Sequence, residues 1–389
     1  MGGRVRTRRW LWRSGVVVLA AVLVAPLFGF SSATAMKAHG ARNLVLSGAW
    51  TTSADVAWVW TQSTSGATGS EQAVLRSADG GGSWTNVTPP GLGVVRGNAY
   101  LGGVDVLDNS DAWIVHGDVS GLVEKLEFTS NGGRTWSTVG TIPKGGCEVQ
   151  FVSRASGWCT VYGGAAGSML VKLFHTSDGG REWTLISKNE VNSDPKGTLP
   201  FGCDKQLYFD SALIGWADFY CNGGVAPIYE TLDGGTTWVQ RLNAAPKGVI
   251  DGGSDFQGAP VTSGSHVAVS FTAFSPTRSL VYVSNDDGRT FAPVSVPVRG
   301  RQVLQDLLTA SSWKVFWGHT IDETTNAGQT WHSVVSNVDI TSLYSPQSGL
   351  PTAVDFLNAK VGWLTSSTLW RTVDGGATWT RLRIPTLAS

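Results

Sequence analysis

Charged and chemically reactive side chains are scarce in this chain. Only 15% of its 389 residues are Asp, Glu, Lys or Arg, and it holds four cysteines and six histidines. No basic cluster is interleaved with aromatics, which argues against generic nucleic-acid binding. None of the glycine-rich turns has the spacing of a phosphate-binding loop, and neither His-Glu-x-x-His nor Gly-x-Ser-x-Gly occurs. His39, His116, His175, His266, His319 and His332 are scattered, and no Cys-x-x-Cys is present, so neither a metal site nor a cofactor is expected. With 49 glycines and 15 prolines, the composition suits short strands joined by turns rather than helices or disorder.

Against that background one phrase stands out. The octapeptide Ser/Thr-x-Asp/Asn-x-Gly-x-(mostly Ser/Thr)-Trp/Phe recurs seven times, centred on Asp79, Asn131, Asp178, Asp233, Asp286, Asn326 and Asp374. Successive centres lie 52, 47, 55, 53, 40 and 48 residues apart, a period that marks propellers and solenoids. The acid or amide can accept from backbone N–H groups downstream, and the glycine two residues later supplies the positive φ of a tight hairpin. The closing aromatic starts a short strand, where a large ring can seal the gap between sheets. The third copy carries Glu182 in place of a hydroxyl, and the fifth ends in Phe291. Seven copies spread around an axis cannot converge on one ligand, so their role is structural.

A second phrase precedes most copies: a small residue and Trp after a turn, at Ala57-Trp58, Ala112-Trp113, Gly157-Trp158, Gly215-Trp216, Ser312-Trp313 and Gly362-Trp363. The fifth unit lacks it. Alternating polar and apolar residues on either side give four strands per unit. Together the two phrases resemble the Asp-box, or BNR-repeat, β-propellers, and their pattern is most similar to the photosystem II stability and assembly factors within the sialidase superfamily fold. The resemblance covers residues 44–385 and implies an all-β, seven-bladed propeller of four-stranded antiparallel blades. The 354 residues beyond position 35 divide into seven units of about 50, which leaves no room for another domain.

Residues 1–35 read as an export leader. Arg4, Arg6, Arg8, Arg9 and Arg13 precede an apolar run from Gly15 to Phe30, and Ala33-Thr34-Ala35 offers a cleavage site. Residues 7–13 also resemble a twin-arginine leader, and the uncharged stretch 14–36 could span a bilayer if left uncleaved. That stretch would be the only membrane contact. Residues 36–43 form a linker and 386–389 a tail, and the protein is expected outside the cytoplasm, secreted, periplasmic or envelope-associated. With the five leader arginines set aside, 24 basic residues face 29 acidic ones, a formal charge of −5. The cysteines fit an oxidising compartment, and hairpin placement pairs Cys147 with Cys159 and Cys203 with Cys221, each bond worth about 2–4 kcal/mol.

Catalytic residues are not identified. A sialidase needs a cluster of arginines and a Tyr nucleophile, and here Arg383-Ile384-Pro385 falls at the exit from the last strand instead of near the start. Another glycosidase would need two carboxylates across a cleft; Asp204, Asp251, Asp255 and Asp339 are placed in loops where a pair could form. The longest connections, 187–202, 243–258 and 335–351, cluster on the face opposite the octapeptide turns. Arg96, Lys247, Arg299 and Arg301, with Lys144, Lys188 and Lys196, give that face positive charge suited to an acidic protein segment or glycan. The expected protein is therefore a monomeric, non-enzymatic binding scaffold, with a sialidase-type or glucan-active glycosidase as the alternative. Two ways of closing the ring remain open: packing alone, or an exchanged strand supplied by residues 41–46.

Overall fold

The computed structural model describes residues 44–385 apart from 64–69, 93, 96–99, 118–123, 164–168, 190–196, 201, 221–226, 243–253, 257–258, 275–276, 299–302 and 344–352. Seven antiparallel sheets follow one another along the chain, each with a four-strand path running from an inner to an outer strand, and Val94–Val95 and Val261–Ser263 pair onto the first and fifth sheets off that path. They form a seven-bladed β-propeller. Blade one is Leu44–Thr51, Ala57–Ser63, Ser70–Ser77 and Thr85–Asn86; blade seven is Ala353–Phe356, Gly362–Thr365, Leu369–Thr372 and Thr380–Arg381. The inner strands between them are Tyr100–Val106, Glu148–Phe151, Asp204–Phe209, Ser254–Phe256 and Leu304–Leu307. Among the described residues the only helical element is a 3-10 turn, Thr341–Leu343.

Two placements differ from the sequence reading. Asp204 and Asp255 lie in the inner strands of blades four and five, paired with Tyr220 and Thr272, and not in loops. In blade five Ser254–Phe256 and Val261–Ser263 both pair with the long strand His266–Phe274, so the tail of the supposed 243–258 loop is sheet. Ring closure also resolves: Leu44–Thr51 pairs with Ala57–Ser63 inside blade one, and blade seven is built wholly from the C-terminal end. The ring is closed by packing.

A blade side chain alternates between the two faces of its sheet, and both faces are covered by neighbouring blades. The core is accordingly seven seams, one apolar cluster per pair of adjacent blades. In the second strand of five blades a tryptophan fills the seam: Trp58, Trp113, Trp158, Trp216 and Trp363 are each at most 1% exposed. Trp113 stacks on Phe151 of the next blade at 3.9 Å between ring centres, and Trp158 stacks on Phe209 at 3.7 Å. The residue before the tryptophan is small where the phenylalanine that ends its own blade's inner strand lies against it. A Cβ on Gly157 would sit 2.4 Å from the Phe151 ring, and one on Gly215 would sit 2.6 Å from Phe209.

Blade six breaks this pattern, and the Ser312-Trp313 assignment is corrected by register. Trp313 pairs with Thr324, the first residue of its octapeptide, as Gly362 pairs with Thr372, so Trp313 stands at the small position and Lys314 at the tryptophan position. Blade five has Ala268 where the seam tryptophan belongs, and the end of the blade-six inner strand is Leu307 instead of Phe. Trp313 fills both gaps: it packs with Ala268 and Leu307 and lies 6.2 Å from Trp331, where Phe151 and Phe209 meet Trp183 and Trp238 at 6.1 Å.

Candidate functional site

The octapeptides form near-identical turns. In the first, Ser77 Oγ donates to Asp79 Oδ1 at 2.8 Å and accepts from Gly81 N, while the Ser83 hydroxyl donates to Asp79 Oδ2 at 2.6 Å. With Asn131 the last bond reverses: its amide donates to Thr135 Oγ1 at 2.7 Å. A hydroxyl, being donor and acceptor at once, is what makes Asp and Asn interchangeable here. These bonds hold the carboxyls of Asp79 and Asp286 down at about 2. Asp178, Asp233 and Asp374 are lowered too, against a burial effect. Glu182 offers Asp178 its backbone N–H at 3.1 Å.

The inner strands carry a second repeated device that the sequence reading missed. Asp105 Oδ2 accepts from Phe151 N of the next blade at 2.6 Å, Gln150 Oε1 accepts from Phe209 N at 3.1 Å, and Asp306 Oδ2 accepts from Phe356 N at 2.7 Å. Asp355 Oδ2 accepts from the Thr51 hydroxyl at 2.8 Å across the closing seam. Each acceptor is the penultimate residue of its inner strand. Its signal was legible as an acid or amide set among apolar neighbours seven residues before the small position, a placement that calls for a donor in the adjoining blade.

The wall of blades two to four holds a strongly perturbed acid. Burial, and then the neighbouring Asp105, push the half-buried Glu148 carboxyl up to about 7. Burial, Glu148 and Asp218 together hold the Tyr162 hydroxyl protonated well above its ordinary range. Cys147, beside Glu148, is bonded to Cys159, with the Cα atoms 5.4 Å apart. Cys203 is disulfide-bonded as well, and Cys221 lies outside the described residues. Two residues after Cys203, the buried Lys205 donates from Nζ to the Gly202 and Cys203 carbonyls.

Among the residues expected to bind or react, Arg96, Lys247, Arg299, Arg301 and Asp251 lie outside the described residues, and only the backbone of Asp255 is described. Asp204 begins its strand half-buried, and Asp339 accepts from Thr341 Oγ1 and Ser342 N to cap the 3-10 turn. Among the described residues no group of three or more His, Cys, Asp or Glu is placed to hold a metal ion, and no helix is long and apolar enough to cross a membrane.

No family model matches the chain, and no curated protein matches it in sequence. Solved structures do share its fold. YCF48 bound to D1 peptide is 14% identical with a TM-score of 0.50, over 90% of this chain and 94% of that one. YCF48 from Cyanidioschyzon merolae is 14% identical with a TM-score of 0.54, over 85% and 96%. The propeller domain of the Trilobed protease from Pyrococcus furiosus, described as having an open velcro topology, is 7% identical with a TM-score of 0.52, over 88% and 99%. The chain is thus similar in architecture to the YCF48 propellers from end to end of the ring.

Proposed function

We propose that the chain is an exported propeller scaffold, of the assembly-factor type, that binds a protein partner. The observation that carries this reading is the likeness, over nine-tenths of the chain, to a propeller solved with a peptide bound. A ring locked at every seam loses little ordering entropy when a partner docks, which suits rigid-surface recognition. Export is supported by the arginine-led apolar N-terminus and by the disulfide between Cys147 and Cys159, a bond that persists in oxidising compartments. The proposed docking face is the basic one, with Arg96, Lys247, Arg299 and Arg301. A photo-crosslinker at position 247 of the full chain, expressed with its leader, should yield a discrete envelope-protein adduct that Arg299→Glu with Arg301→Glu removes. Adducts indifferent to that charge reversal would sink the reading.

One observation favours a glycosidase instead: burial, and then the neighbouring Asp105, push the Glu148 carboxyl up to about 7, the protonation that a general acid needs. Turnover of fluorogenic sialosides or β-glucan oligosaccharides that Glu148→Gln abolishes would establish it.

A further inference from the structure

Every blade joins its first turn to its octapeptide turn by one backbone hydrogen bond. The carbonyls of Asp55, Ser110, Ala155, Leu213, Ser265, Ser311 and Lys360 accept from Gly80, Gly132, Gly179, Gly234, Asp287, Ala327 and Gly375 at 2.8–2.9 Å. This bond makes the seven turns superimposable position by position. At the carbonyl position six blades carry a charged, hydroxyl or methyl side chain, and only blade four carries a large apolar one, Leu213. At the second residue of the octapeptide the series is Ala78, Ser130, Ser177, Leu232, Asn285, Thr325 and Val373. Ile214 lies between, next to Gly215, which pairs with Thr231 beside Leu232. Leu213, Ile214 and Leu232 are 61%, 38% and 57% exposed. Single exposed leucines are ordinary, but three at one spot in a repeat that elsewhere keeps most of these positions polar or small mark an interaction surface.

The surrounding charge selects the occupant. From Gln206 to Gln240 there is no Lys, Arg or His, while the exposed Asp233 flanks the apolar triad. Asp233 directly follows Leu232. The nearest bases in the adjoining octapeptides, Arg181 and Arg289, are turned onto the Asp178 and Asp286 carbonyls of their own turns. A second copy of this chain would set Asp233 against itself in an isologous contact, and an anionic lipid surface would be repelled. We propose that blade four docks a segment of a protein partner in which aliphatic and basic side chains alternate, the aliphatic ones covering Leu213, Ile214 and Leu232 and a basic one meeting Asp233. This surface lies on the octapeptide face.

The probe is a fluorescein-labelled 14-residue Leu/Lys peptide, with Leu/Glu and Ser/Lys peptides of equal length beside it, titrated into the full mature protein. The Leu/Lys peptide is expected to bind at least tenfold more tightly than either of the others. Leu213→Ser with Leu232→Ser should erase that preference, as should Leu232→Lys alone, both with unchanged circular dichroism because the replaced side chains are exposed. Equal binding of the three peptides, or of wild type and variants, overturns the proposal. So would a self-association in sedimentation, or a binding to anionic vesicles, that the double variant abolishes while leaving peptide affinity intact.

Discussion

Lys314 Nζ lies 4.5 Å from the centre of the Phe356 ring, on the site where the Trp113 and Trp158 indoles stack on Phe151 and Phe209 in the equivalent seams. The same Nζ donates to the Gly375 carbonyl at 3.2 Å, as Trp158 Nε1 donates to the matching Gly234 carbonyl at 2.8 Å. A lysine thus reproduces both contacts of a tryptophan, with cation–π attraction in place of stacking. Its charge is compensated by Glu323, which it contacts directly.

That substitution predicts an asymmetry. Glu323→Ala strands a buried ammonium and should cost about 3 kcal/mol, whereas Lys314→Met fills the seam and frees a partly exposed carboxylate, at a cost of under about 1.5 kcal/mol. Urea midpoints at constant m-value decide it; equal losses would mean that the pair contributes nothing specific.

The clamp between Asp105 and Phe151 predicts that Asp105→Ala leaves a buried N–H without its acceptor and costs about 2–3 kcal/mol. Asp105→Asn keeps an acceptor oxygen and should cost less. It should also lower the Glu148 carboxyl, because the neighbouring charge is gone, which 13C chemical shifts of that carboxyl would report.

Glu148 predicts an unusual pH dependence. Its carboxyl rises from 4.5 to about 7 on folding, so the folded protein holds the proton more tightly than the unfolded chain. Stability from this group is full below about 4.5 and is lost as pH climbs through 7, by roughly 3 kcal/mol. Asp210, pushed up to about 7 by burial, acts in the same direction. Asp79 and Asp286, held at about 2, act oppositely and only in strong acid. Urea midpoints at pH 5 and pH 8 should differ markedly for wild type and less for Glu148→Gln.

The octapeptide period, the four-strand unit and the small-Trp phrase were legible because each rests on local chemistry: a turn hydroxyl, a glycine at positive φ, an indole beside a small residue. Register was not. Ser312-Trp313 has the look of the small-Trp phrase, but only strand pairing shows Trp313 one step early and Lys314 in the seam. Asp255 read as loop because Gly252-Gly253 before it suggests a turn, while tertiary pairing with Thr272 makes it strand. Glu148 was passed over because its shift comes from burial that no local pattern announces, and then from Asp105, 43 residues away. The apolar turn of blade four was written in the sequence, but it becomes unusual only when seven turns are superimposed.

Backbone strain separates two copies of the octapeptide from the rest. Five copies place glycine directly after the Asp or Asn, while Asp287 and Ala327 adopt φ of 57° and 54°. Aspartate tolerates that region and alanine does not. Ala327→Gly should therefore raise stability by about 0.5–1 kcal/mol despite the entropy of glycine, visible as a higher melting temperature, and Asp287→Gly should gain less.

The closing seam offers the last prediction. Arg371 of blade seven lies over Trp363 and donates to the Ala54 carbonyl of blade one at 3.1 Å, just as Arg76 of blade one lies over Trp58 and donates to the Asn109 carbonyl of blade two at 2.9 Å. Leu382 sits against Gly81 as Val87 sits against Gly133. The seam between the chain ends thus repeats an ordinary one, with no exchanged strand among the described residues to hold it. Arg371→Ala and Arg76→Ala should each cost about 1 kcal/mol at equilibrium. Their kinetics should part: loss of Arg371 speeds unfolding more, because only that seam can open without breaking the chain's connectivity. Equal unfolding rates for the two variants would show that the ring does not open first where its ends meet.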